Sequence, residues 1–172
     1  IGLGFRLSDQ PLGTHRRAFF LTGGFMISQG DDHLDWTAVR LSALVELNDQ
    51  IRELDDPADV AYAAAEVLGR TLQVSRAGYG TIDPGLETIR IERDWNAPGI
   101  QSLAGTLHFR DYGSYIEDLR RGETVVFADA DKDPRTIATA DALKAISAQS
   151  LVNMPVRERG GLVALLYLNH AT

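Results

Sequence analysis

Two runs near the C-terminus decide how this chain folds: Ser150-Leu151-Val152-Asn153-Met154-Pro155-Val156-Arg157 and Leu162-Val163-Ala164-Leu165-Leu166-Tyr167-Leu168-Asn169, joined through Glu158-Arg159-Gly160-Gly161. Each has strand length, and the glycine pair between them predicts a turn between two strands. The second run is apolar from Leu162 to Leu168. An amphipathic surface strand would alternate; this one predicts a central strand covered on both faces.

Upstream, residues 76–83 and 86–95 are separated by Pro84-Gly85 and predict a hairpin. On the second of these, Ile89 and Ile91 point one way while Arg90, Glu92 and Asp94 point the other, so it has one wet or pocket-facing side. Residues 106–109 predict a short strand, after which Asp111 caps a helix carrying Tyr115, Ile116 and Leu119 that stops at Gly122. Thr124-Val125-Val126-Phe127 is a further strand. Asp133-Pro134 opens a helical turn, and Asp141 caps a short helix with Leu143 and Ile146.

Two helices precede the strands. Asp56 as N-cap, Pro57 at the first helical position and Asp59 in the first turn start one that runs to about Leu72. Another is predicted over residues 35–54. There Leu41, Leu44, Asn48 and Ile51 recur at a 3–4–3 spacing, a seam that pairs with a second helix or packs on its own domain. The order of elements predicts an α+β domain: a mainly antiparallel sheet with helices on its faces.

The chain has 172 residues, with 17 Lys and Arg against 24 Asp and Glu for a net charge of −7. That length suits one domain with a sizeable core. There is no cysteine, which removes thiol nucleophiles, disulfides, zinc–thiolate sites and cysteine-held iron–sulfur clusters. An acidic chain without basic runs is a poor partner for nucleic acid. Residues 1–33 are expected to form an irregular N-terminal extension, rich in glycine, ahead of a domain over 34–172. Their longest apolar stretch, residues 18–27, is broken by Thr22-Gly23-Gly24 and spans about half the ~20 residues of a membrane helix. No membrane contact is expected from this chain, and a cytoplasmic location follows as the simpler expectation.

No catalytic set emerges. His15, His33, His108 and His170 lack a second ligand at metal-binding spacing, so no metal site is expected. Gly78-Tyr79-Gly80 lies within a strand and not at a phosphate loop, and no nucleophile elbow is present. Asp129, Asp131 and Asp133 alternate like a calcium loop, but Pro134 and Ala140 stand where its Gly and Glu belong. Arg135 follows a helix start and is suited either to a carboxylate or phosphate ligand or to a salt bridge with a neighbouring aspartate. Phe109, Tyr112 and Tyr115 cluster at a strand-to-helix junction and suit a small-molecule cavity or ordinary core packing equally.

The residues Arg76-Ala77-Gly78-Tyr79-Gly80-Thr81-Ile82-Asp83, Glu92-Arg93-Asp94-Trp95, Ala128-Asp129 with Asp133-Pro134-Arg135, and Asn153-Met154-Pro155-Val156 with Gly161-Leu162-Val163-Ala164-Leu165-Leu166-Tyr167 together resemble a GAF domain. The likeness covers about residues 41–170 and is nearest to the GAF domains ahead of bacterial sensor histidine kinases of the HWE group. It implies a six-stranded antiparallel sheet with helices on both faces, and a pocket between the sheet and residues 109–150. It implies reversible binding of an unknown small molecule and homodimers paired through helices, here Leu41, Leu44, Asn48 and Ile51. The pocket residues expected on that basis are Phe109, Tyr112, Tyr115, Asp129, Arg135 and Met154. Covalent bilin attachment and the family's reductase chemistry both need cysteines that this chain lacks. The expectation is therefore a regulatory domain, not an enzyme, of a two-component signalling protein. Its alternative is a ligand-free dimerisation module whose pocket is filled by Phe109, Tyr115 and Met154.

Overall fold

The computed structural model describes residues 35–172. The extension expected over 1–33, with its apolar run, His15 and His33, lies outside the described residues. Helix α1, Trp36–Ile51, starts where Asp35 accepts hydrogen bonds from the backbone N–H of Thr37 (3.0 Å) and Ala38 (3.3 Å). Helix α2, Pro57–Leu72, has the expected Asp56 cap, with a 2.8 Å bond from the Ala58 N–H, and Pro57 in its first turn.

Seven strands form one sheet: β1 Arg76–Asp83, β2 Thr88–Ile91, β3 Asp94–Asn96, β4 Gly105–His108, β5 Val125–Phe127, β6 Ser150–Glu158 and β7 Gly161–His170. Every pairing is antiparallel, in the order β4-β2-β1-β7-β6-β5, with β3 also pairing β1. The single strand expected over 86–95 is thus divided into β2 and β3, which pair with opposite ends of β1. As its unbroken apolar run predicts, β7 is central, between β1 and β6.

Strand alternation separates two cores. On the back face, Ala77 of β1 and Leu168 of β7 pack with Ala65 of α2 and Val74. On the front face, Ile82, Ile89, Ile91, Leu165 and Tyr167 pack under the segment 109–149. That segment contains helices α3, Ile116–Arg121, and α4, Ala140–Ala145, with 3-10 turns at Phe109–Asp111 and Ile137–Thr139. Gly122 closes α3 at φ 83°, as expected. Asp111 and Asp141 do not cap helices as expected. Asp111 ends the first 3-10 turn, leaving Tyr115 at the α3 cap, and Asp141 sits inside the first turn of α4 after Thr139.

Candidate functional site

The front core is incompletely filled. A cavity of about 40 Å³ lies between the sheet and the 109–149 segment. The strands supply Ile89, Leu107, Leu165 and Tyr167, and the covering segment supplies Phe109, Tyr112, Tyr115 and Leu143. Phe109 and Tyr115 meet edge to face, with ring centroids 6.2 Å apart and planes at 89°. Burial pushes the Tyr115 hydroxyl well above its ordinary pKa, so it enters as a neutral donor and acceptor. The cavity lining includes no Asp, Glu, Lys, Arg or His.

Charge is present next to the cavity, but it is closed on itself. Arg76 is 1 % exposed, and its Nε lies 3.3 Å from Asp94 Oδ2, whose side chain is fully buried. All three guanidinium nitrogens donate within the protein: Nε to Asn96 Oδ1 (2.9 Å), Nη1 to the Ile146 carbonyl (2.7 Å) and Nη2 to the Gln101 carbonyl (2.5 Å). Asp94 also accepts from the Leu103 N–H (2.8 Å), Asn96 Nδ2 (3.0 Å) and the Ser102 hydroxyl. One ion pair therefore ties β1 and β3 to the 97–104 loop and to the C-terminal end of α4. Burial pulls the Arg76 pKa below its ordinary value, while Asp94 acts in the opposite sense.

Two further polar side chains line the cavity, Tyr167 and Asn153. The Tyr167 hydroxyl is buried without a hydrogen-bond partner and stands over Gly78, where an added Cβ would collide with it. Burial drives its pKa well upward. Asn153 of β6 lines the cavity, is 4 % exposed, and its side-chain amide makes no hydrogen bond to any described residue. Neither residue stood out in the sequence. No local signal in the sequence marks Asn153, because the strand carries apolar residues on both of its faces and its inward set is decided by pairing with its neighbours.

Of the six expected pocket residues, Phe109, Tyr112 and Tyr115 line the cavity; Asp129, Arg135 and Met154 do not. Met154 follows Asn153 and so projects to the opposite face, where it is 44 % exposed. Arg135 is occupied by carboxylates: Nη1 reaches Asp118 Oδ2 at 2.8 Å and Nη2 reaches Asp133 Oδ2 at 2.7 Å. The salt-bridge alternative describes it. Asp129 pairs with Lys132 (2.7 Å) and accepts from Gln149 (2.7 Å). Among the described residues, no group of three or more His, Asp or Glu is arranged to hold a metal ion. No helix there is long and apolar enough to cross a membrane.

The α1 seam opens outward. No α1 residue is fully buried, and Leu41 and Leu44 are 56 % and 54 % exposed, with Val45 and Trp36 beside them. Ile51 is half-buried and Asn48 exposed. The opposite flank leans on α2, tied by Glu46 to Arg70 at 2.5 Å.

The model of the family described as GAF domain matches residues 56–172. No curated protein matches the chain. Among solved structures, the fold is similar to the free methionine-R-sulfoxide reductase of Neisseria meningitidis in complex with its substrate. That similarity has 17 % identity, 85 % of this chain and 81 % of that one covered, and a TM-score of 0.61. The phycoerythrobilin-bound GAF domain from a cyanobacterial phytochrome is similar at 15 % identity, 79 % and 83 % coverage and TM-score 0.65. For the GAF domain of an Acinetobacter phosphoenolpyruvate-protein phosphotransferase the values are 16 %, 77 % of each chain and 0.58.

Proposed function

Because this chain belongs to the GAF family of sensory and regulatory domains, we propose that it is the reversible small-molecule sensor of a bacterial signal-transduction protein of the sensor histidine kinase class, signalling through paired α1 helices. The observation that carries this is the cavity beneath the 109–149 segment, lined mainly by apolar side chains with a few neutral polar groups, among them the unpaired Tyr167 hydroxyl. Its walls lead directly to the helices. Arg76 and Tyr167 face the front, while their chain neighbours Ala77 and Leu168 pack on α2 behind the sheet. A ligand that shifts β1 and β7 therefore bears on α2, and through it on α1, in two packing steps. The exposed Leu41 and Leu44 supply the apolar face on which a second α1 would close.

The site is poorly suited to the ligands of its structural neighbours. These 172 residues include no cysteine to attach a bilin covalently, and about 40 Å³ is far below an ordinary ligand pocket of ~300–1,000 Å³. A larger ligand requires the 109–149 segment to lift. The same small volume, with Phe109 and Tyr115 packed in the pocket, favours the alternative of a ligand-free dimerisation module, although Met154 takes no part in the filling. A thermal-shift and NMR screen against small metabolites separates the two. Saturable shifts confined to cavity resonances support the sensor. Their complete absence, with a concentration-dependent dimer, leaves the dimerisation module.

A further inference from the structure

Granting the reading that the cavity binds a ligand, the geometry points to the class it takes: a small, uncharged, mainly apolar molecule with one amide or hydroxyl group, held by the side-chain amide of Asn153. The first support is the absence of any charged side chain from the lining. The adjacent Arg76 and Asp94 offer no free charge, because every guanidinium nitrogen already donates and both Asp94 oxygens already accept. An ion entering the cavity would exchange hydration for apolar walls with no counter-charge, so anions, cations and amino-acid zwitterions are all disfavoured.

The second support is Asn153 itself. It is 4 % exposed, lines the cavity and is unpaired among the described residues. Buried polar groups of folded proteins nearly always have a partner, so an unpaired amide at a cavity wall marks where one is expected. An asparagine amide presents two N–H donors and a carbonyl acceptor. Its natural complement both accepts and donates while carrying no charge, as a primary amide or an alcohol does. The third support is the remaining surface, where Ile89, Leu107, Phe109 and Leu165 match a short hydrocarbon body. At about 40 Å³ the cavity has room for roughly three waters, which sets the scale of a body that enters without lifting the covering segment far.

The test titrates the ¹⁵N-labelled 172-residue chain with isobutyramide, isobutyrate and isobutylammonium, near-equal in size and differing in charge. Isobutyramide is expected to shift the Asn153 side-chain amide pair and cavity backbone resonances saturably, with the two ions at least tenfold weaker. Asn153→Leu, close in volume, is expected to weaken isobutyramide at least tenfold while leaving the chain folded. Should that variant not fold, Asn153→Asp serves in its place and is expected to reverse the preference toward isobutylammonium. Equal binding of isobutyrate, or unchanged isobutyramide affinity in the Asn153 variant, would overturn the ligand class while leaving a binding cavity. If no probe moves any cavity resonance, so that the pocket holds water only, the class and the binding reading fall together.

Discussion

Replacing Arg76 by Met keeps most of the side-chain stem and removes the charge that joins four parts of the front layer. The structure sets the cost. Asp94 would remain in the interior with the Leu103 N–H, Asn96 and Ser102 as donors but no counter-charge, and the Ile146 and Gln101 carbonyls would lose their guanidinium donors. Breaking a buried pair from one side costs about 3–5 kcal/mol. The neutral donors left on Asp94 place the expected value near the middle, at about 4 kcal/mol. For about 140 described residues the unfolding entropy is roughly 0.3 kcal/mol/K, so Tm should fall by about 13 °C. Far-UV circular dichroism melts and urea titrations at pH 7 measure both quantities. The double variant Arg76→Met with Asp94→Leu removes the stranded carboxylate and should be at least ~1 kcal/mol more stable than Arg76→Met alone. A loss below ~1 kcal/mol in the single variant, or a double variant that costs the sum of the two singles, would refute the assignment of the pair as the tie between sheet and cover.

Other perturbations test other layers. Gly69→Ala should destabilise despite alanine's better helix propensity, because the new Cβ would lie inside the contact distance of the Trp95 ring; overpacking of about 1–3 kcal/mol outweighs a propensity gain of up to ~1 kcal/mol, as a thermal melt would show. Hydrogen bonds from Arg135 hold the Asp118 and Asp133 carboxyls below their ordinary pKa. Their stabilisation is thus complete above the unfolded value of about 3.9 and is lost as pH falls through the lower folded values; Arg135→Leu should flatten that acid limb in melts between pH 5 and 2. Leu44→Glu should shift a dimer to monomer in sedimentation velocity while changing monomer stability by no more than about 0.5 kcal/mol, since the side chain is exposed; an unaltered dimer would remove α1 from the interface.

What the sequence disclosed follows from where its signals are local. Asp56-Pro57, the Gly122 stop and the unbroken run from Leu162 to Leu168 each act through their own backbone, and each element stands where those residues predict. The caps proposed at Asp111 and Asp141 misplaced equally local chemistry, because the covering segment turns through 3-10 geometry before its helices begin. The site was less legible because its decisive contacts are long-range. Arg76 finds Asp94 across a strand pairing and Ile146 across seventy residues, and no spacing rule links them.

Strand β6 shows the limit most directly. Met154 is expected in the pocket only because the resemblance to a GAF domain implies it; the alternation of Ser150, Val152, Met154 and Val156 against Leu151, Asn153 and Pro155 does not say which set turns inward. Leu151 and Asn153 are the set that faces the cavity instead. A strand with apolar residues on both sides carries no parity signal of its own, and a one-residue error exchanges its faces. Register fixes the parity: Asn153 lies opposite Tyr167 on β7 and Val125 on β5, both buried in the front core. The same register makes the cavity neutral in a chain of net charge −7. Most acidic side chains of the covering segment lie in ion pairs outside the cavity, among them Asp118 and Asp133 with Arg135, Asp129 with Lys132 and Asp131 with Lys144. Net charge describes the outer surface of this protein, and the chemistry of its interior is set by which face of β6 turns inward.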